Sequence, residues 1–207
     1  MTTSMTTLLI ALLGVLVVPL FVSTWRIAVL GLAVQGAIMS IIAYQADSEP
    51  TFDNLVTLVD FVLVRTLFAP FALLGAARGA AGTSAREVTA PSILSWTLAL
   101  GVVLLGFRLA TRLVPEGGDE QTLVAVTVSA VLLGFLRLAT QSAPALQMVA
   151  MLQIENAIAL FEMGGAHQEA LPLHIALATI VLITILYCRW YLSTLDRDVA
   201  TPEAPAL

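Results

Sequence analysis

The chain has 207 residues, of which 59% are hydrophobic and only 11% are charged, with a formal net charge of −5 at pH 7. Because soluble domains carry charge on about 25% of their residues, this composition excludes an ordinary water-soluble protein and indicates a lipid bilayer as the main solvent. The acidic charge without any basic run argues against nucleic acid as a partner. The single cysteine excludes an internal disulfide and a cysteine-ligated cluster.

Seven apolar segments are long enough to cross a bilayer, which takes about 20 mostly apolar residues. They cover residues 5–23, 27–45, 55–77, 92–114, 122–140, 144–164 and 171–193. The connections between them are short and rich in Pro, Gly and Asp, so they leave no room for a soluble domain. The first segment lacks a basic leading region and a small-residue cleavage site, which indicates a retained helix. We therefore expect an all-α integral membrane protein, with one membrane domain over residues 1–195 and a polar tail over residues 196–207.

The arginines predict the orientation of the chain in the membrane. In a seven-helix arrangement six arginines fall on one side of the bilayer, Arg108 and Arg112 fall on the other, and Arg65 lies within it. The acidic connection at residues 46–54 faces away from the arginine-rich side. Since basic residues concentrate in cytoplasmic loops, we expect the N-terminus outside and the C-terminus in the cytoplasm.

The third segment carries two charged residues at different depths. Arg65 lies about ten residues from the start of the segment, close to the bilayer midplane, and Asp60 lies about five residues from it. Positions five apart are separated by about 140° around an α-helix, so the sequence predicts that Asp60 and Arg65 do not pair directly. Pro70 follows Arg65 by about one turn and predicts a kink that frees a backbone carbonyl.

The sixth segment carries a carboxylate at matching depth. Glu155 lies about eleven residues from the start of the segment, some 15 Å from its nearer interface. Insertion scales put a central arginine at about 2.5 to 3.5 kcal/mol, and an ionised carboxylate belongs to the same costly class. Arg65 and Glu155 are therefore expected to face protein or internal water, and they are candidates to face each other.

The leading hypothesis is that Glu155 carries protons and that Arg65, or a basic residue of a neighbouring subunit, tunes its proton affinity. A carboxyl group held between burial and a neighbouring guanidinium can exchange protons in the physiological range, as a relay requires. The alternative is a hydrogen-bonded Glu155 that locks helix packing. Glu162, seven residues later on nearly the same helix face, and Asp60 are further candidates for the proton pathway, each with a hydrated helix end as its alternative.

Several uncharged polar residues also lie within the segments, where amides commonly join helices. The candidates for polar links are Gln35, Gln147 and Asn156. His167 and His174 lie near the ends of the last two segments, but two histidines without a helical pairing make a poor metal site. The sequence contains no Gly-rich phosphate loop, zinc-binding helix motif or GxSxG nucleophile. We therefore expect no metal, no cofactor and no catalysis by this chain alone.

Three strings place these polar residues in a recognisable order: WRIAVLGLAVQ ends at Gln35, VRTLFAP contains Arg65, and TQSAPALQMVAMLQIEN ends at Glu155 and Asn156. In this order and spacing, over nearly its full length and with seven helices, the chain resembles hydrogenase-4 component E. Members of that family commonly carry Lys at the position of Arg65, so the positive charge is the feature that matches.

The resemblance implies a non-redox subunit in the membrane arm of a complex-I-like assembly of the group 4 hydrogenase type, multi-pass in a bacterial or archaeal cytoplasmic membrane. The sixth segment is similar to the glutamate-bearing helix of the K subunit of complex I and of the C subunit of multisubunit cation/proton antiporters. By position, the resemblance makes Glu155 the proton-chain residue, Arg65 its buried basic partner and the three amides polar links, whereas Glu162 and Asp60 match no family position. It implies antiporter-like and other membrane-arm subunits as partners, with any nickel–iron and iron–sulfur centres held by partner subunits.

Two other functions stay open at this point. The same membrane module occurs in redox-independent cation/proton antiporters and ion-coupled uptake complexes, and a third interpretation is a structural spacer in which Glu155 only locks packing. The transported ion, H⁺ or Na⁺, and the redox input are properties of the whole assembly.

Overall fold

The computed structural model describes residues 3–20, 24–46, 51–79, 93–164 and 171–200, and the regular elements in these ranges are all helical. In chain order they are α1 (Thr3–Val17, continued by a 3-10 turn, Val18–Leu20), α2 (Trp25–Ala46), α3 (Phe52–Val59), a π-helical stretch (Asp60–Phe68, here the π segment), α4 (Ala69–Gly79), α5 (Ile93–Leu113), α6 (Gly118–Thr140), α7 (Pro144–Gly164) and α8 (Leu171–Ala200). The all-α architecture predicted from the sequence is confirmed.

The helices have the lengths and compositions of membrane spans. Within the described ranges six spans are long and apolar enough to cross a membrane: Trp25–Gln45, Phe52–Ala76, Ile93–Leu113, Gly118–Thr140, Pro144–Met163 and Pro172–Thr194. The span Phe52–Ala76 combines α3, the π segment and most of α4. A shorter apolar helix, Met5–Leu20, covers most of α1 and the 3-10 turn that follows it. The chain therefore has the make-up of a multi-pass helical membrane protein.

The last helix is longer than its apolar part. It continues to Ala200, whereas the predicted seventh segment ends at residue 193, because no Pro or Gly interrupts the sequence between Pro172 and Ala200. Part of the predicted polar tail thus extends the helix, and residues 201–207 of that tail lie outside the described residues.

A tight turn joins α5 to α6 and brings α1 against them. Gly117 and Gly118 have φ values of 76° and 83°, a region that glycine enters without steric cost. Across this turn Gln121 Nε2 donates to the Val114 carbonyl oxygen at 2.8 Å. Thr6 Oγ1 on α1 donates to Asp119 Oδ1 at the start of α6 at 2.6 Å, and α1 packs along α6.

Among the described residues, two large apolar clusters and one small one fill the bundle, and a layer of polar side chains separates the two large clusters. One cluster joins α4, α8 and the N-terminal halves of α2 and α7, and the other joins α1, α6 and the C-terminal halves of α2 and α7. Along α2, the π segment and α7, the boundary between the clusters is occupied by buried polar residues, here called the central polar layer: Gln35, Arg65, Gln153 and Asn156. The helix α7 is central to this arrangement because it contacts α2, α6 and α8.

The helix α2 approaches the π segment closely at Gly36. A Cβ atom added to Gly36 would lie 2.9 Å from the Thr66 backbone nitrogen and 3.0 Å from the Arg65 carbonyl carbon. Real Cβ atoms essentially never come this close to backbone atoms, so any side chain at position 36 must push the two elements apart. Glycine at position 36 is therefore required for the close packing of α2 against the π segment at Arg65.

We expect Gly36→Ala to destabilise the protein by about 1 to 3 kcal/mol, because the added methyl group overlaps backbone atoms that cannot rotate away. Reversible unfolding in mixed micelles measures this change. Gly101→Ala is the matched control, since a Cβ at Gly101 in α5 meets nothing within 4 Å. A stability of Gly36→Ala equal to that of Gly101→Ala would contradict the close approach.

Candidate functional site

The charged pair at the centre of the site forms within the π segment. Arg65 Nε donates to Asp60 Oδ2 at 2.7 Å, so the prediction from α-helical geometry that these residues do not pair was wrong. Hydrogen bonds of a π-helix join residue i to residue i+5, which brings side chains five apart onto one face. The Ala69 N–H donates to the Val64 carbonyl in this pattern, and Pro70, which has no N–H to offer, follows directly.

Arg65 also joins the π segment to α7. Its Nη1 donates to Asn156 Oδ1 at 2.8 Å, and its guanidinium carbon lies 5.3 Å from the centroid of the Phe61 ring. The side chain is only 1% exposed, so Arg65 faces protein, as its predicted depth requires. A carboxylate, an amide oxygen and an aromatic face together replace the water that this cation loses.

His174 extends the site from Asp60 to Glu162. Its Nδ1 lies 3.3 Å from Glu162 Oε2, and its Nε2 lies 3.8 Å from Asp60 Oδ2. The imidazole packs edge-on against Phe61, with ring centroids 6.0 Å apart. The structure thus links two of the predicted candidates, Asp60 and Glu162, through a histidine that the sequence had suggested only as a poor metal ligand.

Glu155 lies beside this set and is held by α8. Thr184 Oγ1 donates to Glu155 Oε1 at 2.6 Å, while Oε2 is buried without a hydrogen-bond partner among the described residues. The hydrogen bonds of Arg65 go to Asp60 and Asn156 and not to Glu155. Arg65 and Glu155, which the sequence suggested as candidates to face each other, are therefore not a hydrogen-bonded pair.

A second buried arginine, Arg137 of α6, contacts α7 about one turn before Asn156. Arg137 Nη1 donates to Gln153 Oε1 at 2.6 Å, and the Arg137 side chain is only 2% exposed. Together with Gln35 these groups line a cavity of about 10 Å³, roughly the space of one water molecule. Arg137 is one of the six arginines predicted to lie outside the bilayer on one side. The apolar residues on both sides of Arg137, three residues inside the predicted segment, are the sequence signal that indicates burial instead.

The polar groups follow α7 through much of the bundle. From Gln153 through Asn156 to Glu162 the helix advances about 14 Å at 1.5 Å per residue. Many polar atoms along this line are buried without a hydrogen-bond partner among the described residues, and each costs roughly 1 to 3 kcal/mol if it stays unpaired. They are Asp60 Oδ1, Arg65 Nη2, Arg137 Nε, Gln153 Nε2, Glu155 Oε2, Asn156 Nδ2, Glu162 Oε1 and His174 Nε2. The site therefore has the capacity to bind internal water or polar groups of another subunit.

The remaining predicted residues lie apart from this site. Gln147 Nε2 donates to the Gln141 carbonyl oxygen at 2.9 Å, so it closes the turn before α7 and does not join the central polar layer. His167 lies outside the described residues. In the described part of the chain no group of three or more His, Cys, Asp or Glu side chains is arranged to hold a metal ion.

Comparisons with protein-family models, with curated proteins and with solved structures found no match to this chain.

We expect Arg65→Gln and Asp60→Asn each to cost about 3 to 5 kcal/mol, because each leaves the opposite charge buried and unpaired. The double variant should cost less than the sum of the two, since it removes both charges. Unfolding of all four proteins in mixed micelles gives the coupling energy, with Arg108→Gln, on an exposed face of α5, as the charge control. Additivity to within about 0.5 kcal/mol would show that the pair is not formed.

Proposed function

We propose that this chain is a non-redox subunit of a complex-I-like membrane assembly of the hydrogenase-4 type, that it bridges antiporter-like subunits, and that it carries protons through its interior. The observation that supports proton transfer most strongly is the linked set of buried ionisable side chains from Glu162 through His174 and Asp60 to Arg65. Ionisable groups inside an apolar helical bundle are costly and typically belong to ion or proton pathways.

The balance of charge in the interior supports binding of one proton. Among the described residues, the interior holds two arginines and three carboxyl groups, which are Arg65, Arg137, Asp60, Glu155 and Glu162. With His174 neutral, one negative charge is in excess, and a single bound proton makes the interior neutral. Such a proton can reside on more than one group, which a relay requires.

Glu155 is the proton-carrying carboxyl group in this proposal, and Arg65 is a fixed cation beside it. Asp60 already neutralises Arg65 through a hydrogen bond, so Glu155 is not locked in an ion pair and can change its protonation state. Asn156 and Gln35 supply polar links in the central polar layer. The hydrogen bond from Thr184 also fits the structural alternative, in which Glu155 only holds α7 to α8.

We further propose that α1 is a seventh span, with the N-terminus outside and the C-terminus in the cytoplasm. Because the Arg137 side chain is buried, the count of arginines that supports this orientation falls from six against two to five against two, and the majority is kept. Glu162 and His174 then lie toward the outer surface, and Arg137 lies toward the cytoplasm.

The outer faces of the bundle support assembly with other subunits. Only 17% of the residues in the membrane-spanning window of α5, and 22% of those in the window of α8, are buried within the chain. Most of the surface of these two helices is therefore available to lipid or to another subunit. The unpaired polar atoms described above also gain partners when another polar chain or internal water is present. No reaction is proposed for this chain alone, and the redox chemistry of the assembly belongs to its partners.

Purification of the intact complex from native membranes, through a tag on this chain, tests the assembly. Antiporter-like membrane subunits together with nickel–iron and iron–sulfur proteins are the expected partners. Antiporter-like subunits without redox proteins would favour the antiporter or uptake complex instead, and a chain that purifies alone would contradict both.

We expect Glu155→Gln to lower proton translocation by at least about tenfold in the assembled complex, because the amide cannot exchange a proton. The amide keeps an oxygen that can accept from Thr184 Oγ1, so helix packing and assembly should persist. The measurement is the initial rate of proton uptake in sealed vesicles, with Glu116→Gln in the exposed turn before α6 as the control. Normal translocation by an assembled Glu155→Gln complex would leave only the structural role.

A further inference from the structure

We propose that His174 is a proton-transfer group that passes protons between Glu162 and Asp60. This inference rests on the proposed function, and it identifies the link from Glu162, near the end of α7, to Asp60 and Arg65. The geometry that carries this inference is an imidazole whose two ring nitrogens face two different carboxyl groups. Nδ1 lies 3.3 Å from Glu162 Oε2, and Nε2 lies 3.8 Å from Asp60 Oδ2.

Packing holds the ring in this position. His174 lies near the start of α8 and is 6% exposed, and its edge contact with Phe61 restricts the orientation of the ring. Glu162 reaches it from α7 and Asp60 from the π segment, where Asp60 is itself bonded to Arg65. Along the part of α8 that the structure describes, no other ionisable side chain lies within one turn of His174.

The transfer balances as an exchange of two protons. The Glu162 carboxylic acid gives its proton to Nδ1 of the neutral ring, and the ring releases its Nε2 proton to the Asp60 carboxylate. Glu162 ends as a carboxylate, Asp60 ends as a carboxylic acid, and the ring ends in the other tautomer, which reorientation of the ring reverses. Transfer in the opposite direction uses the same atoms.

The two halves of the relay differ in distance. The contact with Glu162 is near hydrogen-bond length, whereas the gap of 3.8 Å to Asp60 exceeds the usual range of about 2.7 to 3.2 Å. Transfer on the Asp60 side therefore needs a small approach of the ring or one bridging water. Asp60 Oδ2 accepts from Arg65, while Oδ1 has no partner among the described residues, so Oδ1 can take the proton while Oδ2 keeps its hydrogen bond with Arg65.

A purely structural His174 would only tie α8 to α7 through Glu162. Glutamine at position 174 keeps a donor and an acceptor in a side chain of similar reach, but it cannot exchange protons in this way. If His174 is only structural, proton translocation should thus persist in His174→Gln, whereas it should be lost if His174 is a relay. Thr179→Val is the matched control, because Thr179 lies on the exposed face of α8 and bonds only to the Ile175 carbonyl.

The experiment measures initial rates of proton translocation from pH 5.5 to 8.5 in vesicles that contain the whole complex with each variant. We expect His174→Gln to lower the rate by at least about tenfold and to change the dependence of the rate on pH, because the amide cannot exchange protons as the imidazole does. Glu162→Gln should show the same loss of rate, and the double variant should be no slower than either, since all three interrupt one path.

Assembled His174→Gln with a rate within about twofold of the wild type and an unchanged pH profile would overturn the relay. If His174→Gln does not assemble, Glu162→Gln, which keeps the imidazole, decides by the same criterion. A normal His174→Gln with a defective Glu155→Gln would refute only this inference. A wild-type complex that moves no protons would refute the proposed function and the relay with it.

Discussion

The interaction on which the rest of the structure depends is the bond between Arg65 and Asp60. A guanidinium at the centre of an apolar bundle needs compensation, and the π segment provides it from within one element by placing position 60 beside position 65. Asn156 adds an oxygen from α7, and Gly36 lets α2 close over the backbone at Arg65. Helices that are distant in sequence therefore meet around one neutralised cation.

This compensation separates two kinds of polar group. Arg65 and Asp60 neutralise each other and hold the architecture, whereas Glu155 receives only a hydroxyl hydrogen bond and stays outside the ion pair. Proton transfer needs both kinds, because protons move efficiently only between groups that fixed hydrogen bonds, such as that from Arg65 to Asp60 Oδ2, keep in position. Arg137 and Gln153 form a second fixed pair about one turn before Asn156 on α7, next to a cavity of the size of one water.

The helices and the burial of Arg65 were predictable from the sequence, because apolar runs of about 20 residues are local signals and a charge inside such a run must face protein or internal water. The pairing of Asp60 with Arg65 was not, since π-helices are rare, a stretch of 9 residues is too short to show a periodic pattern, and Pro70 alone suggested a disturbance. Arg137 was assigned to the wrong environment because nearness to a loop outweighed its apolar neighbours. The contact of His174 with Asp60 depends on how α8 packs sideways against the π segment, and one sequence contains no local signal for such a non-local contact.

The central claim is that Arg65 is held in the middle of the bundle by Asp60 and Asn156 through a π-helical stretch. The most direct test is a cryo-electron microscopy map of the chain within its assembly, at a resolution that shows side chains. We expect i to i+5 hydrogen bonds over residues 60–68 and Arg65 nitrogens within about 3.2 Å of both partners. A regular α-helix with Asp60 and Arg65 on different faces, or an Arg65 bonded to a carboxylate of another subunit, would contradict it.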